Sequence, residues 1–226
     1  MRRKDALAPN CVSILGVTQR QAQRLAAGGE LGHVRHVGRT VVVPSAAVHR
    51  AKNNGTTSRG RPAFPATAWM AMALLSGRPA DGPNEMRIAD RLAAMAPIEV
   101  ARFTRRRATI TGLRLTVRMT PDAMAAHLRN SGVKPTGLMS PLAVDWGLAG
   151  EGASLIDGYL YVGPDRMLRD LKLREDPGGR IMLRLLDLPV DPLPEATVAL
   201  DLMESMDSRA RGVGRDRLAE MIGRLG

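Results

Sequence analysis

Cysteine and aromatic residues are scarce in this sequence. It has one cysteine, Cys11, so no disulfide bond can form within the chain, which suits a reducing compartment. Aromatic residues make up 3% of the composition and hydrophobic residues 44%. We therefore expect a packed core that is filled by leucine, alanine, valine and methionine side chains.

Long apolar runs are missing as well. The first residues, Met1-Arg-Arg-Lys-Asp5, are charged, and no apolar stretch long enough to cross a bilayer follows them. We expect neither a signal peptide nor a membrane-spanning helix. The expected location is the cytoplasm, with no membrane partner.

Sequence motifs of catalysis and metal binding are also absent. The chain has no Walker loop, no G-x-S-x-G and no H-E-x-x-H. His33 and His36 form an H-x-x-H, but on a strand this spacing puts the two rings on opposite faces, and no second ligand pair is near. His127 falls on a predicted helix with Met124 and Leu128, where a structural role is favoured. We expect a protein that is not an enzyme and that needs no cofactor or metal.

Positive charge is in excess, and it is concentrated near the start of the chain. The formal net charge is +11. Residues 1–62 hold 11 Lys and Arg against Asp5 and Glu30, a net +9, and the remaining 164 residues carry +2. Cationic side chains that neutralise phosphates gain affinity by releasing counterions, so this basic quarter indicates a polyanionic partner.

The composition changes between residues 53 and 62. This stretch, Asn53-Asn-Gly-Thr-Thr-Ser-Arg-Gly-Arg-Pro62, has no apolar side chain except proline, which is typical of a linker. We predict a small domain over residues 1–52, a linker over residues 53–62 and a larger domain over residues 63–226.

The larger part alternates helical and strand patterns, which predicts an α+β fold. Predicted helices cover residues 65–75, 84–95, 120–128, 165–173, 194–206 and 213–225. Predicted strands cover residues 109–119, 159–162 and 181–188. The last two helices each place apolar residues on one stripe, so an amphipathic helix pair is expected to end the chain.

A short helix with defined ends is predicted between Gly16 and Gly29. Gly16 supplies the positive φ that ends a preceding helix, and Thr18 with Gln21 matches the S/T-x-x-E/Q capping box. Gln21 falls near the edge of the outer face, and that face carries Gln19, Arg20, Gln23 and Arg24. Arginine pairs with guanine and glutamine with adenine through two hydrogen bonds each, so this face suits the major groove of DNA.

A β-hairpin is predicted next. Residues 30–36 and 40–43 form two short strands around Val37-Gly-Arg39, and Pro44-Ser-Ala-Ala opens a third helix. The cationic or potentially cationic side chains of the hairpin are His33, Arg35, His36 and Arg39. A hairpin with these side chains suits a wing that clamps phosphates or enters the neighbouring minor groove.

Together these pieces resemble the winged helix-turn-helix module of excisionase and MerR-like proteins. The resemblance covers about residues 10–50 and lies in Leu15-Gly-Val-Thr18, Ala22–Leu25, Gly29-Glu-Leu31, Val34-Arg-His-Val-Gly-Arg39 and Val43-Pro-Ser-Ala-Ala-Val48. It implies that Gln19, Arg20 and Gln23 approach base edges while Arg35 and Arg39 hold the DNA backbone. Pro9 should make the first helix shorter than usual.

Two further basic stretches have two interpretations each. Arg59-Gly-Arg-Pro62 matches the core of an AT-hook, in which Arg59 and Arg61 reach into the minor groove, or it is a basic flexible linker. The run Arg102-Phe-Thr-Arg-Arg-Arg107 either contacts the DNA backbone or forms a solvated surface, which is favoured.

The overall layout resembles a class of actinobacterial regulators whose α+β body is similar to the antitoxins of AbiE-type toxin–antitoxin pairs. The segments that carry this resemblance are Arg105–Ile110, the stretch from Ser131-Gly-Val-Lys134 to Asp145-Trp-Gly-Leu148, and Val198–Gly214. It implies a protein that represses its own operon and counteracts a nucleotidyltransferase toxin encoded beside it.

We therefore expect a sequence-specific DNA-binding transcription regulator, with an autorepressing antitoxin as its narrower form. The alternative is an excisionase-type architectural factor in recombination, but such proteins are usually little more than the small module. The expected partners are double-stranded operator DNA, a cognate nucleotidyltransferase toxin and a second copy of the chain. The expected location is the cytoplasm, in association with the nucleoid.

Overall fold

Short helices and a small sheet make up the N-terminal segment, residues 6–53. The structure is a computed structural model that describes residues 6–7, 9–28, 30–31, 34–38, 40–53, 61–148, 156–161, 171–176 and 179–226. The elements of the N-terminal segment are β1 (Ala6–Leu7), α1 (Pro9–Leu15), α2 (Gln19–Ala27), β2 (Arg35–Val37), β3 (Thr40–Val42) and α3 (Ser45–Asn53). Strand β3 is central, with β1 parallel to it on one side and β2 antiparallel on the other.

The turn between α1 and α2 depends on Gly16. Its φ of +65° is one that L side chains rarely adopt. The amide of Gly16 donates to the carbonyl oxygens of Val12 and Ser13, which closes the end of α1. Helix α1 begins at Pro9 and has only seven residues, as the proline indicates.

The N-terminal segment has its own small apolar core, to which all three of its helices contribute. Its buried side chains are Cys11, Leu15, Ala22, Leu31, Val41, Val48 and Ala51. The predicted first strand of the hairpin was too long, because Glu30 and Leu31 lie in a turn and β2 begins at Arg35. Leu31 is fully buried, so its apolar side chain serves the core rather than a strand pattern.

The body, residues 61–226, has the predicted α+β composition. Its elements are α4 (Pro65–Leu75), α5 (Pro83–Ala93), α6 (Pro97–Phe103), β4 (Thr109–Leu115), α7 (Pro121–Asn130), β5 (Lys134–Pro135), α8 (Pro141–Asp145), β6 (Ile156–Leu160), β7 (Leu173–Glu175), β8 (Ile181–Leu185), α9 (Glu195–Met203) and α10 (Ser208–Gly223). A 3-10 turn, Gly137–Met139, lies between β5 and α8.

Several predicted boundaries were wrong, mostly at strand ends. The strand predicted to run to residue 119 ends at Leu115, and the one predicted at 159–162 begins earlier, at Ile156. The helix predicted at 165–173 falls largely outside the described residues, and its last residue, Leu173, begins β7. Helix α9 ends at Met203, so Met206 is exposed instead of lying on the buried stripe.

The five-stranded sheet of the body has the order β5-β6-β8-β4-β7. Strands β6 and β8 are parallel, and the other neighbours are antiparallel. Alternate residues face opposite sides of a sheet. One side is apolar and packs against α7 through Leu113, Ile156, Leu160, Ile181 and Leu183. The positions between them, among them Asp157, Tyr159 and Arg184, therefore lie on the other side, where α9 lies.

Two helices are buried around most of their circumference and form the centre of the body. In α4 six residues are buried, and in α9 every residue from Ala196 to Met203 is buried. Helix α10 crosses α9 closely at Gly214, where a Cβ would lie 2.5 Å from the carbonyl oxygen of Ala199. Only glycine permits this separation of the two helices.

Candidate nucleic-acid interface

Helix α2 begins with the predicted capping box. The amide of Gln21 donates to Oγ1 of Thr18 at 3.3 Å, and the amide of Thr18 donates to Oε1 of Gln21 at 3.0 Å. The hydroxyl of Thr18 also donates to Oε1 of Gln21, at 3.1 Å. Both predicted site residues are therefore used to hold the start of α2, and the capping prediction is confirmed.

Polar and basic residues cover the outer side of α2. Ala22 is fully buried, and Leu25 packs partly buried against the same core, which fixes the inner side of the helix. Gln19, Arg20 and Arg24 are exposed and Gln23 is half-buried. Arg20 and Arg24 are four residues apart and so lie on one side of the helix, one turn from each other.

The hairpin lies next to α2 in the chain and exposes its turn. Val37 and Gly38 are exposed, Gly38 with a φ of +61°, and His36 is exposed on β2. Arg35 lies on β2, paired with Val42 of β3. His33 and Arg39 lie outside the described residues.

The end of the predicted linker is anchored on the body. Pro62 is buried, and the amide of Ala63 donates to the carbonyl oxygen of Phe103 at 2.9 Å. Arg61 is exposed, with its guanidinium carbon 5.7 Å from the centre of the Phe64 ring. Arg59 lies outside the described residues.

The second basic run, residues 102–107, is not a uniform solvated surface, so this favoured interpretation was wrong for half of it. Phe103 and Thr104 are buried, and Arg107 is 3% exposed. Arg105 is half-buried, and its Nη2 pairs with Oε1 of Glu30 at 3.2 Å. Arg106 is exposed as expected. The run turns inward because α6 ends there and leads into β4.

Polar contacts join the N-terminal segment to the body. Nε of Arg50, on α3, lies 3.8 Å from Oε2 of Glu204, at the end of α9. The amide nitrogen Nδ2 of Asn53 donates to the carbonyl oxygen of Ser205 at 3.2 Å. These two contacts place the C-terminal end of α3 against the loop between α9 and α10, and the pair between Arg105 and Glu30 joins the turn after α2 to the segment between α6 and β4.

A buried network of charged side chains lies behind these contacts. Arg107 and Arg184 bind the two oxygens of Glu204, with Nη2 of Arg107 at 2.7 Å from Oε1 and Nη1 of Arg184 at 3.0 Å from Oε2. Nη2 of Arg107 also donates to Oδ1 of Asp201. Asp201 accepts a second hydrogen bond, at Oδ2, from the hydroxyl of Thr136 at 2.6 Å.

Tyr159 ties this network to the apolar core. Its hydroxyl accepts from Nε of Arg107 at 2.9 Å and lies 3.2 Å from Oδ1 of Asp201. Its ring meets that of Trp69 edge to face, with 5.5 Å between centres. The indole of Trp69 in turn donates to the carbonyl oxygen of Arg107 at 2.8 Å.

Burial and ion pairing have opposite effects on the pKa values of Glu204, Arg50 and Arg184. Burial alone would raise the pKa of Glu204, but Arg184, Arg107 and Arg50 outweigh it and lower that pKa to about 2. Burial lowers the pKa of Arg50 below its usual value, although Glu204 opposes the shift. For Arg184, burial would lower the pKa too, but Asp157, Asp201 and Glu204 raise it well above the usual range.

The network is closed to solvent. The side chains of Arg107, Arg184, Asp201 and Glu204 are at most 3% exposed. They therefore hold elements of the body together. Among the residues that the structure describes, no group of three His, Cys, Asp or Glu is arranged to hold a metal ion.

This network was not predicted from the sequence, although the sequence contains a signal for it. Arg184 interrupts the apolar strand Ile181-Met-Leu-Arg-Leu185, and Asp201 and Glu204 interrupt the apolar helix α9 three residues apart. Charged residues inside apolar elements are seldom buried unless they are paired with each other. The presence of a network could have been predicted from this rule, but its partners could not.

None of the described helices is both long and apolar enough to cross a lipid bilayer. No family model, no curated protein and no solved structure matches the chain.

Proposed function

We propose that the N-terminal segment is a winged helix-turn-helix and that the protein is a sequence-specific DNA-binding transcription regulator. The observation that carries the proposal is the outer side of α2, where Arg20 and Arg24 lie exposed one turn apart while Ala22 anchors the inner side. An α-helix with its side chains is about 10 to 12 Å across, so α2 fits the major groove, which is about 12 Å wide.

Within this proposal the residues of α2 divide into two roles. Thr18 and Gln21 are engaged with each other in the cap, so they set the position of the helix. Gln19, Arg20, Gln23 and Arg24 face the DNA, with Arg20 the strongest candidate for a guanine contact. No acidic residue lies in α2, so nothing on this helix repels phosphates.

The hairpin and the linker supply contacts to the DNA backbone. His33, Arg35, His36 and Arg39 of the hairpin bind phosphates or enter the minor groove, as a wing does. Arg59 and Arg61 add positive charge at the end of the predicted linker. Arg61 does so from a point that Pro62 and Ala63 fix to the body.

A binding experiment tests the proposal directly. Oligonucleotides selected from a random pool by the full chain, followed by fluorescence anisotropy at several salt concentrations, should give a recognised sequence and a linear fall of log affinity with log salt. Arg20→Ala should weaken binding to that sequence by about 1 to 3 kcal/mol and binding to unrelated DNA much less.

Arg118→Ala is the matched control, because Arg118 is an exposed arginine of the body after β4. It should leave both affinities nearly unchanged. Equal weakening on every sequence by Arg20→Ala would exclude base recognition by this residue. No binding at low ionic strength would overturn the proposal as a whole.

The narrower form of the proposal is an autorepressing antitoxin in the cytoplasm, bound to the nucleoid. It is supported by the resemblance of the body to AbiE-type antitoxins. Repression of a reporter from the promoter of its own operon, and rescue of growth from an adjacent nucleotidyltransferase, are the expected results. Bending and cooperative binding at recombination sites without repression would favour the excisionase-type alternative.

A further inference from the structure

A cavity of about 410 Å³ lies between the N-terminal segment and the body. We call it the seam cavity. Leu31, Ala47 and Arg50 line it from the N-terminal segment, and Arg105, Arg106 and Ile110 line it from the body. Its volume is in the range of sites that hold small organic molecules, about 300 to 1,000 Å³.

The seam cavity combines a cationic part with an apolar part. Three arginines, Arg50, Arg105 and Arg106, face two acidic residues, Glu30 and Asp187, so the formal charge of the lining is positive. The rest of the lining is largely alanine, leucine, isoleucine and proline side chains. Such a lining suits a molecule with an anionic head and an apolar remainder.

Arg50 is the arginine that Glu204 holds least closely. Its ion pair with Oε2 of Glu204 is 3.8 Å long, whereas Arg107 and Arg184 bind the same carboxylate at 2.7 and 3.0 Å. Glu204 is thus shared among three guanidinium groups. Burial lowers the pKa of Arg50, whereas the carboxylates around Arg184 raise the pKa of that residue. At 3.8 Å the Nε of Arg50 is beyond hydrogen-bonding distance of Glu204, so the guanidinium of Arg50 has N–H donors left for an anion on its cavity side.

We propose that the seam cavity is a binding site for a small organic anion, a carboxylate or phosphate monoester with an apolar group of about six carbons. The head lies among Arg50, Arg105 and Arg106, and the apolar group packs against Ala47 and Ile110. Because the ligand contacts both the N-terminal segment and the body, its affinity depends on how the two are arranged. This site does not depend on the proposed DNA binding.

The test uses the full chain without DNA, so its outcome is separate from that of the DNA experiments. The probes are hexanoate, hexyl phosphate, inorganic phosphate and 1-hexanol, measured by calorimetric titration and by the shift in Tm. We expect saturable binding of hexanoate or hexyl phosphate with a Kd of about 1 mM or tighter. Inorganic phosphate alone and 1-hexanol should bind at least tenfold more weakly, because each lacks one half of the ligand.

Two pairs of variants locate the binding. Ala47→Met fills the seam cavity from α3 and should weaken binding at least tenfold, while Ala126→Met, at a half-buried position on α7, should not. Arg106→Gln should weaken binding of the anions several-fold, and Arg118→Gln should leave it unchanged. The preference between hexanoate and hexyl phosphate identifies the head group.

Several results would overturn the proposal. They are a failure of both anions to bind below 10 mM, equal affinity for 1-hexanol, and equal affinity of Ala47→Met and the unaltered chain. A loss of folding in Ala47→Met would show in its Tm without ligand, and Arg106→Gln then decides the question, because Arg106 is exposed and its replacement leaves the core intact.

Discussion

Arg184 donates two hydrogen bonds to Asp157 at the centre of the body, from Nε to Oδ1 at 3.1 Å and from Nη2 to Oδ2 at 3.0 Å. The two residues lie on neighbouring parallel strands, β8 and β6, where Arg184 pairs in register with Tyr159. The third nitrogen of the guanidinium reaches Glu204 of the α9 end. One side chain thus connects the sheet to the helical layer.

Loss of this arginine should be one of the most damaging single changes in the body. Arg184→Met leaves Asp157 buried without its arginine partner and Glu204 with one close arginine instead of two, so we expect the free energy of unfolding to fall by about 3 to 5 kcal/mol. Arg217→Met is the matched control, because the Arg217–Glu220 pair is exposed and should be worth less than about 1 kcal/mol. Urea denaturation measures both, and comparable losses would contradict the central role of Arg184.

The lowered pKa of Glu204 should make the protein sensitive to acid. A carboxylate whose pKa is about 2 in the folded protein and near 4.5 when unfolded binds its proton more weakly in the fold. Its stabilisation is therefore complete above pH 4.5 and is lost as the pH falls towards 2. The raised pKa of Asp157 acts in the opposite sense and reduces part of this slope.

The free energy of unfolding, measured in urea between pH 5.5 and 3, should fall as acid is added. Glu204→Gln should lower stability at pH 5.5 and flatten the remaining dependence, because the titrating group is gone. Asp157→Asn should make the dependence steeper. An unchanged slope in Glu204→Gln would show that other carboxylates govern the response to acid.

Two glycines two residues apart on α10 should respond in opposite directions to the same change. Gly214→Ala places a Cβ 2.5 Å from the carbonyl oxygen of Ala199, so the helices must separate, at a cost of about 1 to 3 kcal/mol. A Cβ at Gly212 meets no atom within 4 Å, so Gly212→Ala should stabilise the helix by about 0.5 to 1 kcal/mol. Thermal unfolding measures both changes in stability. A loss of stability in Gly212→Ala would contradict the finding that a Cβ at this position meets no neighbouring atom.

The capping box of α2 should carry measurable stability. Thr18→Ala removes the acceptor for the Gln21 amide and should cost about 1 kcal/mol. Thr120→Ala, at the cap of α7, is the comparison, because Thr120 accepts from the amide of Ala123 in the same way. Hydrogen exchange of the α2 amides should increase in Thr18→Ala and not in Thr120→Ala. Additive effects of Thr18→Ala and Gln21→Ala in a double-mutant cycle would show that the two side chains do not act together.

Elements with local signals were predictable from the sequence. The cap of α2, the glycine turn at Gly16, and the starts of α4 and α7 at Pro65 and Pro121 follow from residues within one turn of each boundary. Helix α6 was not predicted, because its seven residues, three of them buried, show no clear period.

The network and the seam could not be derived from local patterns. Arg107 lies 94 residues from Asp201 and 97 from Glu204, and no periodicity connects positions so far apart. Residues 102–107 look like one basic run in the sequence, yet Arg107 is drawn inward because the carboxylates of Asp201 and Glu204 meet beside it. Burial of a charge is decided by its distant partners rather than by its neighbours in the chain.

The ion pair between Arg50 and Glu204 bears on whether the N-terminal segment and the body can be separated. The body supplies two arginines, Arg107 and Arg184, and three acids, Asp157, Asp201 and Glu204, so its interior alone has one surplus negative charge. Arg50, on α3 of the N-terminal segment, brings the sum of these charges to zero. The interior of the body is therefore electrically neutral only when the N-terminal segment is in place. Movement of the N-terminal segment away from Glu204 leaves one buried carboxylate of the body without a compensating charge.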